Sequence, residues 1–199
     1  VETLARVDTL CLDKTGTITQ GKMTVEALHS LSDHFSEQTI QVILSAYMQY
    51  SEDTNPTAQA IRKAYGELEH AYTAENIIPF SSDRKWGAMH LSNLGTVFLG
   101  APEMLLKENP APVVEAQARG SRVLVLAHSS ELISMQELKL PKNLEGIAVI
   151  EITDPIREGA SDTLEYLRSQ GVDLKIISGD NPVTVSYIAQ QAGFKNYEN

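Results

Sequence analysis

Two strand-like ends held apart by residues 24–145, which follow a different rhythm, constrain the fold of this chain most strongly. Val7 to Leu12 is an apolar run that stops at the turn residues Asp13 to Gly16. Its counterparts come late: GIAVIEIT (Gly146 to Thr153) reads as a second strand, and VDLKIIS (Val172 to Ser178) as a third. Between those two, Ala160, Leu164 and Leu167 recur at helical spacing, and Gly171 is a stop signal. Asn181-Pro182 then opens another helix whose inner stripe is Val185, Ile188, Ala189 and Ala192, ended by Gly193. Strands alternating with helices through short loops predict an open parallel α/β sheet. Such sheets carry their sites at the carboxyl ends of the strands. Asp13, Asp154 and the Ser178-Gly179-Asp180 turn each follow a strand, so they are expected at one edge.

The intervening residues predict a second, α+β domain. One helix starts near Ser36 and carries Ile40, Ile43, Leu44 and Tyr47; another follows Asn55-Pro56 with Ala60, Ile61, Ala64 and Leu68. After Thr73 the pattern turns hairpin-like, with Lys85 to Leu91, a turn at Ser92 to Gly95, and Thr96 to Leu99. Short helices are predicted over Pro102 to Lys107 and Val113 to Ala118, and a strand over Arg122 to Ala127. The domain assignment is therefore 1–23 with 146–199, interrupted by 24–145.

Composition excludes several roles. No apolar run reaches the roughly 18 to 20 residues of a membrane helix, and the N-terminus has no signal-peptide pattern. A formal net charge of −10 argues against nucleic acid as a partner, because that backbone requires a basic face. Cys11, the single cysteine, permits no internal disulfide and is expected as a small buried residue between two leucines. His29, His34, His70, His90 and His128 have no ligand spacing, and Trp86 reads as hairpin packing.

The stretch LCLDKTGTIT (Leu10 to Thr19) places one carboxylate directly after an apolar strand. A carboxylate can act as a covalent nucleophile toward phosphorus. Two anions meeting there require neutralisation, which a Mg²⁺ ion and Lys14 would supply. Gly16 lets the backbone turn closely and present N–H donors to a phosphoryl group.

DKTGTIT resembles the phosphorylation motif of P-type (E1-E2) cation-transporting ATPases. The resemblance implies an α/β fold: a haloacid-dehalogenase-like Rossmannoid parallel sheet, incomplete here, with an inserted α+β nucleotide-binding domain. It makes Asp13 the aspartate phosphorylated by ATP, with Lys14, Thr15, Gly16 and Thr17 around it and Mg²⁺ at Asp13 and Thr15. Soluble phosphatases of this superfamily carry a second aspartate where Thr15 stands, acting as general acid and base. Threonine cannot do this near neutral pH, so Thr15 favours a long-lived aspartyl-phosphate and a pump.

Ile152 to Arg157 resembles the family's DPxR motif, implying nucleotide contacts for Asp154 and Arg157 near the hinge. Ser178-Gly179-Asp180 resembles its TGD motif with serine for threonine. In the insert, FSSDRK (Phe80 to Lys85) resembles an F-S-x-x-R-K segment, implying that Phe80 stacks on adenine and Lys85 lies near the nucleotide. Gly100 opens a GAPE segment like the family's KGAPE, but Leu99 replaces the lysine. Arg122 matches an arginine before a strand, and Ala58 stands where an acid is common.

The family's GDGxND motif does not occur before Asn199. The expectation is thus a head fragment of a multi-pass membrane protein, facing the cytoplasm, with poor turnover alone. ATP would reach Asp13 by hinge closure near Gly21 to Thr24 and Glu145 to Gly146. The expected partners are ATP, a transported cation (calcium first) and the actuator domain of the same full-length chain. The alternatives are a soluble haloacid-dehalogenase-type phosphohydrolase and a catalytically inactive nucleotide-binding module.

Overall fold

A computed structural model describes residues 7–132, 138–179 and 182–194. They divide into two compact units. One comprises the residues up to Lys22, Gln117–Arg122, and those from Thr153 onward; the other is Met23–Ala116 with Val123–Ile152.

In the first unit, β1 (Thr9–Asp13) and β8 (Asp173–Ile177) pair in parallel, from Thr9 opposite Asp173 to Asp13 opposite Ile177. One face of this pair is covered. Leu12, Leu174 and Ile176 pack on Leu164 of α5 (Ala160–Ser169) and on Ile188, Ala189 and Ala192 of α6 (Pro182–Gln191). On the other face Ile177 is 62% exposed. Cys11 lies there too and is exposed. The expectation of a buried cysteine is corrected: strand side chains alternate, so Leu10 and Leu12 turn away from the face that Cys11 occupies.

The second unit is built on a six-stranded sheet in the order β2-β7-β6-β5-β4-β3. The strands are β2 (Thr24–Ser30), β3 (Ala74–Ser81), β4 (Trp86–Leu91), β5 (Gly95–Gly100), β6 (Arg122–Ser129) and β7 (Glu145–Thr153). On one face lie α1 (Glu37–Tyr50) and α2 (Pro56–Tyr65), whose Ile40, Ile43, Leu44, Tyr47, Met48 and Ile61 meet Met89, Leu91, Val97, Leu99 and Leu126. On the other, Leu105 of α3 (Pro102–Leu105) and Val113 and Ala116 of α4 (Ala111–Ala118) cover Trp86, Ala88, Phe98 and Val125. Both long helices start where their caps predict. Ser36 Oγ accepts from Thr39 N at 3.1 Å, and Asn55 Oδ1 accepts from Ala58 N at 2.9 Å, with Pro56 next.

Three sequence expectations are corrected here. The strand over 146–153 does not join the parallel pair; it is β7 of the six-stranded sheet, so the second crossing between units falls at Ile152/Thr153 rather than near Glu145-Gly146. Ile147, Ala148, Val149, Ile150 and Ile152 are buried on both faces, and such a run does not announce which sheet it enters. Strands β2 and β3 add to the predicted hairpin. Leu68 belongs to no helix: α2 ends at Tyr65 and Leu68 is 40% exposed.

The neighbours β2 and β7 are the first and last strands of this unit, so the chain enters and leaves through adjacent strands. Leu31 N donates to Ile147 O at 2.9 Å and Ser32 Oγ to Glu145 Oε1 at 2.7 Å, fastening the two. No helix among the described residues is long and apolar enough to cross a membrane.

Candidate active site

Asp13 is the last residue of β1, exposed at the carboxyl end of the strand, with Ile177 beside it and Ser178 and Gly179 following. After Asp13 the chain coils through Lys14–Ile18, with Gly16 at φ 79°. That left-handed turn is one only glycine takes without strain. Thr15 is half-buried, Thr17 is exposed, and Lys14 is buried. Asp180 lies outside the described residues.

The loop is braced from within its own unit. Thr19, fully buried, donates its hydroxyl to Asp154 Oδ2 at 2.6 Å and accepts from Gly16 N at 3.2 Å. Arg157 Nη2 donates to Gly16 O at 2.6 Å and its Nε to Thr19 O at 3.0 Å. Main-chain bonds from Gln20 N to Pro155 O and from Arg157 N to Ile18 O complete a small antiparallel bridge at Thr19 and Ile156. The DPxR segment therefore reaches the Asp13 loop although its preceding strand belongs to the other sheet. The structure engages Asp154 and Arg157 with this loop, where the resemblance implied nucleotide contacts. Sequence reasoning missed Thr19, although it ends the quoted DKTGTIT motif.

One atom here is unsatisfied: Asp154 Oδ1 is buried with no hydrogen-bond partner. No cluster of three or more His, Cys, Asp or Glu side chains suited to a metal occurs among the described residues. Mg²⁺ needs fewer, because it keeps several waters and binds through one or two carboxylates and substrate phosphates. The exposed Asp13 carboxylate, with Thr15 two residues on, offers donors of the right oxygen chemistry.

The second unit gathers three of the other predicted residues. Strand β3 carries an irregularity between Ile78 and Ser81, where Pro79 and Phe80 have no partners in β4. Such bulges re-aim a side chain, and the Phe80 ring is left 40% exposed. Arg84 holds the bulge by donating to Pro79 O at 2.6 Å, and its guanidinium lies 5.3 Å from the centre of the Trp86 ring. Lys85 sits at φ 59° in the turn into β4, and its Nζ meets Glu103 Oε1 at 3.0 Å. Partial burial would raise the Glu103 carboxyl, but the hydrogen bond from Lys85, its own backbone N–H and the Lys85 charge together bring it below its ordinary value.

Gly100 closes the group. A Cβ there would stand 2.5 Å from Lys85 O and 2.5 Å from Trp86 Cβ, so the bare glycine permits the Lys85 turn to approach β5. Leu99 is 8% exposed and packs with the α1/α2 core; Ala58 is 6% exposed. Arg122 is the first residue of β6.

A family model for haloacid dehalogenase-like hydrolases matches residues 7–198. The chain belongs to that family. Within it, the chain is 62% identical over 99% of its length to a probable cation-transporting ATPase, exp7, of Streptococcus pneumoniae, of which it covers 25%. It is 36% identical over 97% of its length to the calcium-transporting ATPase CtpE of Mycolicibacterium smegmatis, covering 24% of that protein. Among solved structures, a zinc-transporting PIB-type ATPase in its E2.Pi state superimposes with a TM-score of 0.62 at 26% identity, over 98% of this chain and 29% of that one. The chain thus spans about a quarter of the curated relatives it matches. The likeness to P-type ATPases runs along nearly all of it.

Proposed function

We propose that this chain is the ATP-handling head of a P-type cation pump, and that Asp13 is its phosphate acceptor. The carrying observation is the position of Asp13: exposed at the carboxyl end of β1, beside β8, on a loop held by Thr19, Asp154 and Arg157. The Asp13 carboxylate oxygen attacks the γ-phosphorus of ATP. An O–P bond forms to Asp13, the bond from phosphorus to the β,γ-bridging oxygen breaks, and ADP leaves with that electron pair. The turn that Gly16 permits brings neighbouring N–H groups of the loop toward the phosphoryl oxygens. A Mg²⁺ ion bound at Asp13 and Thr15 would neutralise charge between carboxylate and phosphate. By the sequence likeness, Lys14, Thr17, Ser178, Gly179 and Asp180 would act around the acceptor.

The six-stranded unit supplies the nucleotide. Phe80 offers an exposed ring for the base, and Lys85, Gly100 and Arg122 carry the sequence likeness to nucleotide-binding segments. The assignment 1–22 with 153–199 as phosphorylation domain and 23–152 as nucleotide-binding domain follows the two crossings of the chain, apart from Gln117–Arg122, which group with the former. Calcium is the proposed cargo, supported by the relatives named calcium-transporting at 34% and 36% identity. Membrane helices and an actuator domain belong to the longer protein implied by the relatives' length.

The test uses the longer protein with ATP labelled at the γ-phosphate. A covalent, acid-stable label is expected on the wild type and none on Asp13→Asn. Equal labelling of both proteins refutes the acceptor role. Stimulation of label formation by calcium, set against zinc, copper, cadmium and potassium, decides the cargo.

A further inference from the structure

Strand β3 is an outer strand of the six-stranded sheet, and Pro79 sits in its bulge. Proline has no N–H to give a ladder, so within sheets it belongs on an edge strand or at a bulge. Ile78 pairs with Ala88 and Ser81 with Trp86, and the ladder skips the two residues between. The Pro79 carbonyl is taken instead by a side chain of the following turn: Arg84 Nη2 donates to it at 2.6 Å. Lys85 N closes the same turn on Ser81 O at 2.7 Å.

Arg84 is itself fixed from the core. Its guanidinium lies 5.3 Å from the centre of the Trp86 ring, and Trp86, 3% exposed, packs edge-on against Phe98 at 5.8 Å. A continuous set of contacts thus leads from Phe98 through Trp86 and Arg84 to the carbonyl that precedes Phe80. The arrangement has a cost, because Arg84 Nε is buried with no hydrogen-bond partner. An unpaired buried donor is destabilising, and the face of Trp86 offsets only part of that. Methionine at 84 would cover Trp86 without the unpaired group. It would lack any hold on Pro79 O, and so on the backbone that carries the exposed Phe80 ring.

We infer that Arg84 is a positioning residue for the nucleotide: it locks the bulge in the conformation that presents Phe80 to the base. The inference rests on the nucleotide-binding reading above. A platform already ordered in the free protein costs the ligand less to bind, and ring stacking depends on the offset and angle at which the rings meet. Because Arg84 acts through Phe80, its effect falls on the base and not on the phosphates.

The experiment titrates ATP and inorganic tripolyphosphate against the whole 199-residue chain, with thermal unfolding of each variant alongside. Arg84→Met is expected to lower the ratio of ATP to tripolyphosphate affinity about fivefold, the equivalent of one hydrogen bond. Loss of the cation alone would weaken both ligands together and leave that ratio intact. Arg84→Lys keeps a donor and a cation and is expected to recover part of the ratio. Phe80→Ala is expected to lower the ratio as well, and Arg84→Met added to it to lower it no further. An unchanged ratio in Arg84→Met overturns the inference. So does a double variant whose losses add, since Arg84 would then reach the ligand by itself. A wild type that binds no ATP, or a Phe80→Ala variant that binds it as tightly as wild type, removes the nucleotide-binding reading and this inference with it.

Discussion

Thr19 donates its hydroxyl to Asp154 at 2.6 Å across 135 residues of sequence, the length of a charge-assisted O–H···O⁻ bond. It ties the chain that returns from the six-stranded unit to the loop that follows Asp13. Asp154 has no second partner for its other buried oxygen, so this bond carries much of the carboxylate's compensation.

Replacing Thr19 by valine keeps the shape and removes the bond. Asp154 is then left with little compensation, and a loss of about 1–3 kcal/mol in unfolding free energy is expected. Serine at 19 should restore most of it. Urea unfolding of the three proteins checks this; a valine variant as stable as wild type would show the bond to be incidental.

On the proposed function, Thr15 sets how long the phosphate stays. In the longer protein, Thr15→Asp supplies a general base two residues from the phosphorylated carboxylate, and hydrolysis is expected to accelerate by roughly 10² to 10⁴. The decay of labelled phosphoenzyme after a chase with unlabelled ATP measures it. An unaltered decay would remove acid–base chemistry from the explanation of this threonine.

Much of this was legible along the chain, for local reasons. Ser36 and Asn55-Pro56 announce helix starts because a cap is a contact over three residues. The turn at Ser92 to Gly95 sets the β4–β5 pairing in the same way. The place of Asp13 at the end of β1 was legible because an apolar run there stops at turn residues. What stayed hidden depends on distant partners. Nothing local tells β7 to join β6 rather than β8, since its residues are apolar on both faces. Likewise Arg84 reads as half of a solvated basic pair until Trp86 and the Pro79 carbonyl are placed against it.

The Lys85–Glu103 pair makes a titration prediction with a definite sign. The folded carboxyl of Glu103 lies below its ordinary value of 4.5, so the pair's contribution is present above that value and is lost as pH falls through the folded one. Both side chains are more than half exposed, so the effect on stability is small. The pKa itself is the better readout. In Lys85→Met only partial burial and the backbone N–H act on Glu103, and its titration midpoint, followed by carbon NMR of the carboxyl, is expected to move upward. A midpoint that does not move would mean Lys85 does not hold the carboxylate in solution.

Gly100 tests whether the predicted nucleotide residues are held as a group. Trp86 pairs with Gly100 across the β4–β5 ladder, and Ala101 N donates to Lys85 O at 2.9 Å, so the two backbones are in contact at this point. A methyl at position 100 would meet Lys85 O and Trp86 Cβ at 2.5 Å and Trp86 Cα at 2.7 Å. Two of those three atoms are main chain, and the third is fixed by a tryptophan that is 3% exposed and packed edge-on against Phe98. None can yield without moving the turn. Gly100→Ala is therefore expected to cost about 1–3 kcal/mol in stability, the usual range for overpacking. It should also weaken ATP binding, because the Lys85 turn is displaced from its place beside the Phe80 bulge. Full stability in Gly100→Ala would show that the turn has room to shift. Lost stability with undiminished ATP affinity would detach Lys85 from the nucleotide.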